Sequence, residues 1–271
     1  MNYKLICSDI DGTLLNKDRE LSKFTISEVQ RISPIPFILI SSRMPRAMRH
    51  LQDELGNSTT PIIAYNGGLI LNKNEIIQST EINILVIESI INKCKNTSIH
   101  VSLFHADEWF APSMDFWANR EIYNTKVKPD LKPNLEVLKS WKQEGKGAHK
   151  IMCMGDENEI DYLYHTLEKE HAHDIILYRS KSTYIEISHR SISKKTAIET
   201  LINNSYPNIA MHEVVAFGDN YNDVEMLKSV GLGIAVANAN EAVLKIAKRV
   251  TETNINDGVA MALSKIFKLS H

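Results

Sequence analysis

The chain has 271 residues, 31 Lys and Arg against 33 Asp and Glu, a formal net charge of −2 and 43% hydrophobic residues. That length suits one large domain or two smaller ones with a core that needs no disulfide or structural metal, and the composition excludes a disordered or collagen-like chain. Near-neutral charge gives no reason to expect nucleic acid or a membrane surface, and no apolar run approaches the ~18–20 residues of a membrane helix.

In chain order, Tyr3–Ser8 reads as a strand, Ser22–Arg31 as a helix capped by Ser22 or Thr25, and Phe37–Ser41 as a second apolar strand. A helical pattern over Arg46–Leu55 and a strand over Pro61–Tyr65 follow, closed by the turn residues Asn66-Gly67-Gly68, with a small hairpin over Leu69–Leu71 and Ile76–Gln78. Continuous apolar strands alternating with helices indicate a parallel sheet covered on both faces. The middle differs: a helix over Ile84–Cys94, a strand over Ile99–Phe104, an irregular aromatic stretch over Asp107–Pro133 and a solvated loop over Lys139–Lys150. Then come a strand over Ala148–Met154, a helix over Glu157–Glu170, and strands over Ile175–Tyr178 and Tyr184–Ile187. This pattern fits an α+β insert. From Lys194 the first style returns, with strands over Val214–Phe217 and Gly233–Val236 and helices over Ala197–Asn203, Asp223–Ser229, Glu241–Lys248 and Gly258–Phe267. The expected fold is α/β: a Rossmann-like parallel sheet core with helices on both faces, formed by residues 1–82 and 188–271, and an inserted α+β cap domain, 83–187.

Four polar clusters stand at strand ends or helix starts. Asp9-Ile10-Asp11-Gly12-Thr13-Leu14 follows the first strand, Ser41-Ser42-Arg43 the second, and Gly218-Asp219-Asn220-Tyr221-Asn222-Asp223 the strand Val214–Phe217. Ser193-Lys194-Lys195 begins a helix, where the dipole disfavours a lysine unless an anion is near. Each cluster alone reads as a turn, a cap or a surface lysine. Together they place acidic, hydroxyl and lysine groups where open α/β sheets bind ligands. Crowded carboxylates need a positive partner, and hard oxygen donors with few histidines point to Mg²⁺. A carboxylate can accept a phosphoryl group, and a neighbouring Asp can protonate the leaving oxygen and then activate water.

With these motifs in this order, the sequence resembles the haloacid dehalogenase-like hydrolase superfamily, and within it the Cof-type sugar-phosphatase branch. Tyr65-Asn66-Gly67-Gly68, the stretch Gly233–Ala239 and Asn254-x-x-Asp257-Gly258-Val259 extend the match across the chain. The resemblance implies that Asp9 is the phosphoryl-accepting nucleophile and Asp11 the general acid/base. It further implies that Ser41 and Lys194 bind the phosphoryl oxygens and that Asn222 shapes the phosphate end. Mg²⁺ would be held by the Asp9 carboxylate, the Asp11 backbone carbonyl and Asp219, with Asp223 in the outer shell. Ser42 stands where the branch usually has Gly and would add a hydroxyl near the phosphate; Lys195 likewise replaces a frequent Gly. The paired Asp11 argues for phosphate esters over carbon–halogen bonds. The cap would read the leaving group, with His105, Trp109 and Arg120 as candidates against a background of aromatic core packing.

The expected activity is a Mg²⁺-dependent phosphatase acting on a small phosphorylated metabolite, a sugar phosphate, through an aspartyl-phosphate. The alternatives are a phosphomutase or a dedicated sugar-phosphate phosphatase of the same superfamily, or a non-catalytic regulatory protein on this scaffold. The last predicts loss of Asp9, Asp11, Lys194 or Asp219, and all four are present. The N-terminus reaches Asp9 too soon for a secretory signal. Cys7, Cys94 and Cys153 form no C-x-x-C pattern, so free thiols in a reducing cytoplasm are expected, with no nucleic-acid or membrane partner and a monomer or small homo-oligomer.

Overall fold

The structure is a computed structural model that describes residues 3–268; Met1 and Asn2, at the start of the N-terminal pattern read above, and 269–271 lie outside the described residues. The chain begins with β1 (Leu5–Ser8), α1 (Lys23–Arg31), β2 (Phe37–Ile40), α2 (Arg46–Leu55), β3 (Ile62–Ala64), β4 (Leu69–Asn72) and β5 (Glu75–Ser79). It continues with α3 (Ile84–Cys94), β6 (His100–His105), β7 (Glu108–Ala111), α4 (Phe116–Thr125), β8 (Asp130–Leu131), α5 (Asn134–Glu144), β9 (Lys150–Met154), α6 (Glu157–His171), β10 (Ile175–Lys181) and β11 (Tyr184–His189). It ends with α7 (Lys194–Ser205), β12 (Val214–Gly218), α8 (Val224–Ser229), β13 (Leu232–Ala235), α9 (Glu241–Ile246), β14 (Arg249–Val250) and α10 (Gly258–Ile266).

Two compact units result: Met1–Gln78 with Ser193–His271, and Ser79–Ile192. The insert therefore starts four residues earlier and ends five later than the 83–187 read from the sequence, because the linker residues on both sides pack with the insert.

In the first unit an eight-stranded sheet runs β14-β13-β12-β1-β2-β3-β4-β5. Strands β14 through β3 are parallel and β4 turns back against β3. β1, β2, β3 and β12 are buried along their whole length, which is why their sequences are continuous apolar runs and not alternating ones. The chain builds outward from β1 to β3, returns to the other side of β1 at β12, and continues to β14. β1 is thus the switch point at which such sheets bind ligands, beyond the strands' carboxyl ends. The register Ser8↔Phe217 and Ser8↔Leu39 brings the ends of β12, β1 and β2 level.

The insert has its own six-stranded sheet, β10-β11-β9-β6-β7-β8, antiparallel except between β7 and β8. Val101, Leu103, Ile151, Cys153, Ile185 and Ile187 alternate onto one face and pack with Ile87 and Ile90 of α3, Trp141 of α5 and Leu163 of α6. Two segments correct the sequence reading. The stretch 107–133 contains β7, β8 and α4, whose cap Asp115 accepts from the N–H groups of Trp117 and Ala118. The first half of the stretch 139–150, read as a loop, is the end of α5, which buries Val137, Leu138 and Trp141. Cys7, Cys94 and Cys153 are buried free thiols.

Candidate active site

The site grows from the ends of β1 and β12. The Asp9 N–H donates to Phe217 O at 3.1 Å, carrying the β1 ladder one residue further and setting Asp9 beside Gly218 and Asp219. The chain then turns at Gly12, whose φ is +82° and where a Cβ would lie 2.5 Å from Asp219 Oδ2. Only glycine satisfies both the left-handed backbone and that approach. Thr13 Oγ1 donates to Asp219 Oδ1 at 2.8 Å.

Lys194, at the first turn of α7, is the counter-charge. Its Nζ donates to Asp9 Oδ1 and to Asp223 Oδ1, both at 2.6 Å, and the side chain is fully buried. Burial works against the ammonium, but Asp223 and Asp9 outweigh it and raise the Lys194 pKa. α7 is fixed in place by Ser193, which caps it in a reciprocal pair with Thr196. The second oxygen of Asp223 accepts from the N–H groups of Asp219 and Asn220, at 2.9 and 3.0 Å. Asp223 is thereby committed to holding Lys194 and the loop. Burial and the charges of Asp223 and Asp219 push the Asp9 carboxyl well above its ordinary range, against the pull of Lys194. Burial and Asp223 raise Asp219 to about 6. Asp9, Asp219 and Asp223 bring carboxylate oxygens within 4.8 Å of one another. Three crowded acids for one lysine leave an excess of negative charge at oxygen donors, the setting that suits a small hard cation.

Asp11 points to a different set of partners. Arg43, 4% exposed, grips its carboxylate through both Nε to Oδ2 and Nη2 to Oδ1 at 2.7 Å. Arg19 Nη1 donates to Oδ1 at 2.7 Å. Arg43 stands in the second motif without an assigned role, and Arg19 was not among the sequence candidates; a cation eight residues beyond Asp11 is a signal only once the loop is seen to fold back. Ser41, buried at the end of β2, accepts from the Arg43 N–H through Oγ at 3.2 Å, and its carbonyl accepts from the Asn66 N–H at 2.8 Å. Asn222 Nδ2 donates to Asn66 Oδ1 at 3.1 Å, linking the loop after β12 to the turn after β3. Tyr65 and Asn66 in that turn both have positive φ, 53° and 56°, the kind of backbone strain that gathers at functional sites. Ser42 is half-buried beside Ser41.

The three insert candidates are not gathered. Trp109 is buried, stacked on Phe104, and its Nε1–H donates to Ser102 Oγ at 3.1 Å. Arg120 lies over the rings of Trp117 and Tyr184. His105 donates from Nδ1 to Gly147 O at 3.0 Å, beside Glu81 and His149. Glu81, His105 and His149 resemble a metal-ligand set, but the Ala106 N–H donates to His149 Nδ1, which leaves the ring proton on Nε2, 3.0 Å from Ser79 Oγ. Ser79 in turn donates to Glu81 Oε1 at 3.1 Å. His149, Ser79 and Glu81 thus form a hydrogen-bonded chain, and burial followed by the charge of His105 lowers the His149 pKa to about 4.

Residues 6–263 match the haloacid dehalogenase-like hydrolase family. The chain belongs to that family, in its Cof-type branch. It is 32% identical to a Haemophilus influenzae protein named "Putative phosphatase", over 98% of this chain and 99% of that one. It is 27% identical to the Bacillus subtilis 5-amino-6-(5-phospho-D-ribitylamino)uracil phosphatase YitU, over 98% of each chain. The crystal structure of a haloacid dehalogenase-like hydrolase from Bacteroides thetaiotaomicron superposes with a TM-score of 0.89 at 28% identity, covering 98% of this chain and 100% of that one. This Cof-type member is a phosphatase. Among the described residues, no helix is long and apolar enough to cross a membrane.

Proposed function

We propose that this phosphatase hydrolyses a small phosphorylated metabolite, of the sugar-phosphate class, with Mg²⁺ and through an aspartyl-phosphate on Asp9, in the cytoplasm. The observation that carries this reading is Lys194 bridging Asp9 and Asp223, with Asp219 alongside, at the switch point of the sheet. In this reading Asp9 attacks phosphorus, the ester P–O bond breaks, and Asp11, which first takes a proton from solvent in exchange for part of its hold on Arg43 and Arg19, gives that proton to the leaving oxygen. Water then attacks the phosphorus of the acyl phosphate, Asp11 takes its proton, and inorganic phosphate leaves with Asp9 restored. Lys194 offsets the charge on the transferring phosphoryl group, Ser41 and Ser42 supply hydroxyl donors, and Asn222 shapes the phosphate end through Asn66. Asp9 and Asp219, with the Asp11 carbonyl, would hold Mg²⁺, while Asp223 acts from outside because both its oxygens are occupied. When bound, the ion supplies charge neutralisation at the phosphoryl oxygens. The insert is proposed to recognise the leaving group.

Phosphate release from p-nitrophenyl phosphate and from a panel of hexose and pentose phosphates tests this. Turnover that requires Mg²⁺ and disappears in Asp9→Asn, with the fold retained by circular dichroism, is the expected result. Near-normal turnover in Asp9→Asn overturns the covalent step, and bisphosphate-dependent isomerisation in place of phosphate release overturns the hydrolase.

A further inference from the structure

We propose that Arg19 is a substrate-contacting residue, selecting phosphate esters whose leaving group carries a second anionic group, a carboxylate or a further phosphate. The inference rests on the reading of Asp11 as the group that protonates the leaving oxygen.

Arg19 stands in a tight loop. Asn16 Oδ1 accepts from the N–H groups of Asp18 and Glu20, and the Asn16 N–H donates to Glu20 O. The loop holds Arg19 at a φ of +64°, a conformation that disfavours a side chain larger than glycine. The side chain is a third exposed, at 32%. Its guanidinium touches the protein through Nη1 alone, on Asp11 Oδ1, and has no other partner among the described residues. The open edge is therefore Nε with Nη2.

That same edge grips carboxylates twice elsewhere in this chain. Arg43 uses Nε and Nη2 on Asp11, both at 2.7 Å. Arg31 uses them on Glu28 at 3.0 and 2.6 Å. Two parallel N–H groups on a planar cation match a carboxylate or phosphate and bind it bidentately. Arg19 is anchored on Asp11, so a leaving group whose oxygen meets Asp11 comes within reach of the Arg19 side chain, which is a third exposed. Arginine offers only donors, so a group rich in charged acceptor oxygens binds there more strongly than a neutral hydroxyl. Arg43, by contrast, is fully used and serves to aim Asp11.

The test compares pairs of esters that differ in the second acid: 3-phosphoglycerate against glycerol 3-phosphate for a carboxylate, and fructose 1,6-bisphosphate against fructose 6-phosphate for a phosphate. Wild type is expected to prefer the acidic member of at least one pair, and the pair that responds identifies the anion. Arg19→Asn, which suits the positive φ, should lower kcat/KM for that acidic ester about ten-fold or more beyond its effect on the neutral one, chiefly through KM. Arg19→Lys, which keeps the charge without the planar edge, should recover only part. A wild type active on both members without preference overturns the role of Arg19 and leaves the phosphatase reading intact. An equal fall on both esters, carried by kcat, also overturns it and makes Arg19 only a support for Asp11. No phosphate release from any ester overturns the metabolite-phosphatase reading and this inference with it.

Discussion

Lys194 is the residue on which two buried acids, Asp9 and Asp223, depend. A buried charge is tolerated when it is paired, and removing one partner exposes the desolvation cost of those left behind. Lys194→Ala leaves Asp9 and Asp223 without their shared donor. We expect it to abolish phosphate release and to destabilise the protein by about 3–5 kcal/mol at pH 7. The destabilisation should shrink as the pH falls and the orphaned carboxylates take up protons, which urea titrations at pH 7 and pH 5 would reveal. A variant as stable as wild type at pH 7 would show that the lysine does not compensate these acids. Arg19 and Arg43 play the matching part for Asp11. The two carboxylates of the first motif thus have separate counter-charges, and the i, i+2 spacing gives no hint of it.

Short elements place these residues, and their ends matter more than their middles. α7 begins at Lys194 because Ser193 and Thr196 cap each other reciprocally, so the cap sets where the lysine starts. Ser193→Ala should cost about 1 kcal/mol, read as a lower urea midpoint, and should lower kcat more than KM if the start of α7 shifts. The strands beside the site were legible because each is a buried apolar run ending in a polar cluster: Leu5–Ser8 into Asp9, Phe37–Ile40 into Ser41, Val214–Gly218 into Asp219. The insert was less legible for identifiable reasons. α4 buries only Ala118 and Thr125, too few to show a helical stripe. α5 starts after Pro133 and buries only Val137, Leu138 and Trp141, with Glu136, Lys139, Lys142 and Glu144 around them, so its second half read as a charged loop. The pairing of Arg19 with Asp11 depends on a backbone φ that no local pattern announces.

The whole molecule combines two units whose buried ionisable groups respond to acid with opposite signs. In the first unit Asp219 titrates near 6 when folded, above the ordinary value of 3.8, so the folded state binds the proton more tightly. Without metal, that unit should gain stability as the pH falls from about 6 toward 4. In the insert His149 is lowered from 6.5 to about 4, so the unfolded state binds the proton more tightly. The insert should lose stability as the pH falls through that window. Hydrogen exchange at pH 7 and pH 5, corrected for intrinsic rates, would resolve the two by residue range. Protection should rise in β1 and β12 and fall in β6 and β9. Saturating Mg²⁺ should flatten the response of the first unit alone, and a parallel response in both units would contradict these assignments.

The sheet order also has a consequence during synthesis. β1 is made well before its partner on one side, β12, which lies more than two hundred residues later, with the whole insert between them. At about 5–20 residues per second, that edge of a wholly buried strand waits on the order of ten seconds or more for its neighbour. The insert is a continuous segment and can fold in the interval. Until β12 is made, the nascent chain carries Asp9 without Asp219 or Asp223 beside it, and with an open, apolar strand edge. An unpaired apolar strand edge is the surface through which partly folded chains aggregate and for which chaperones exist.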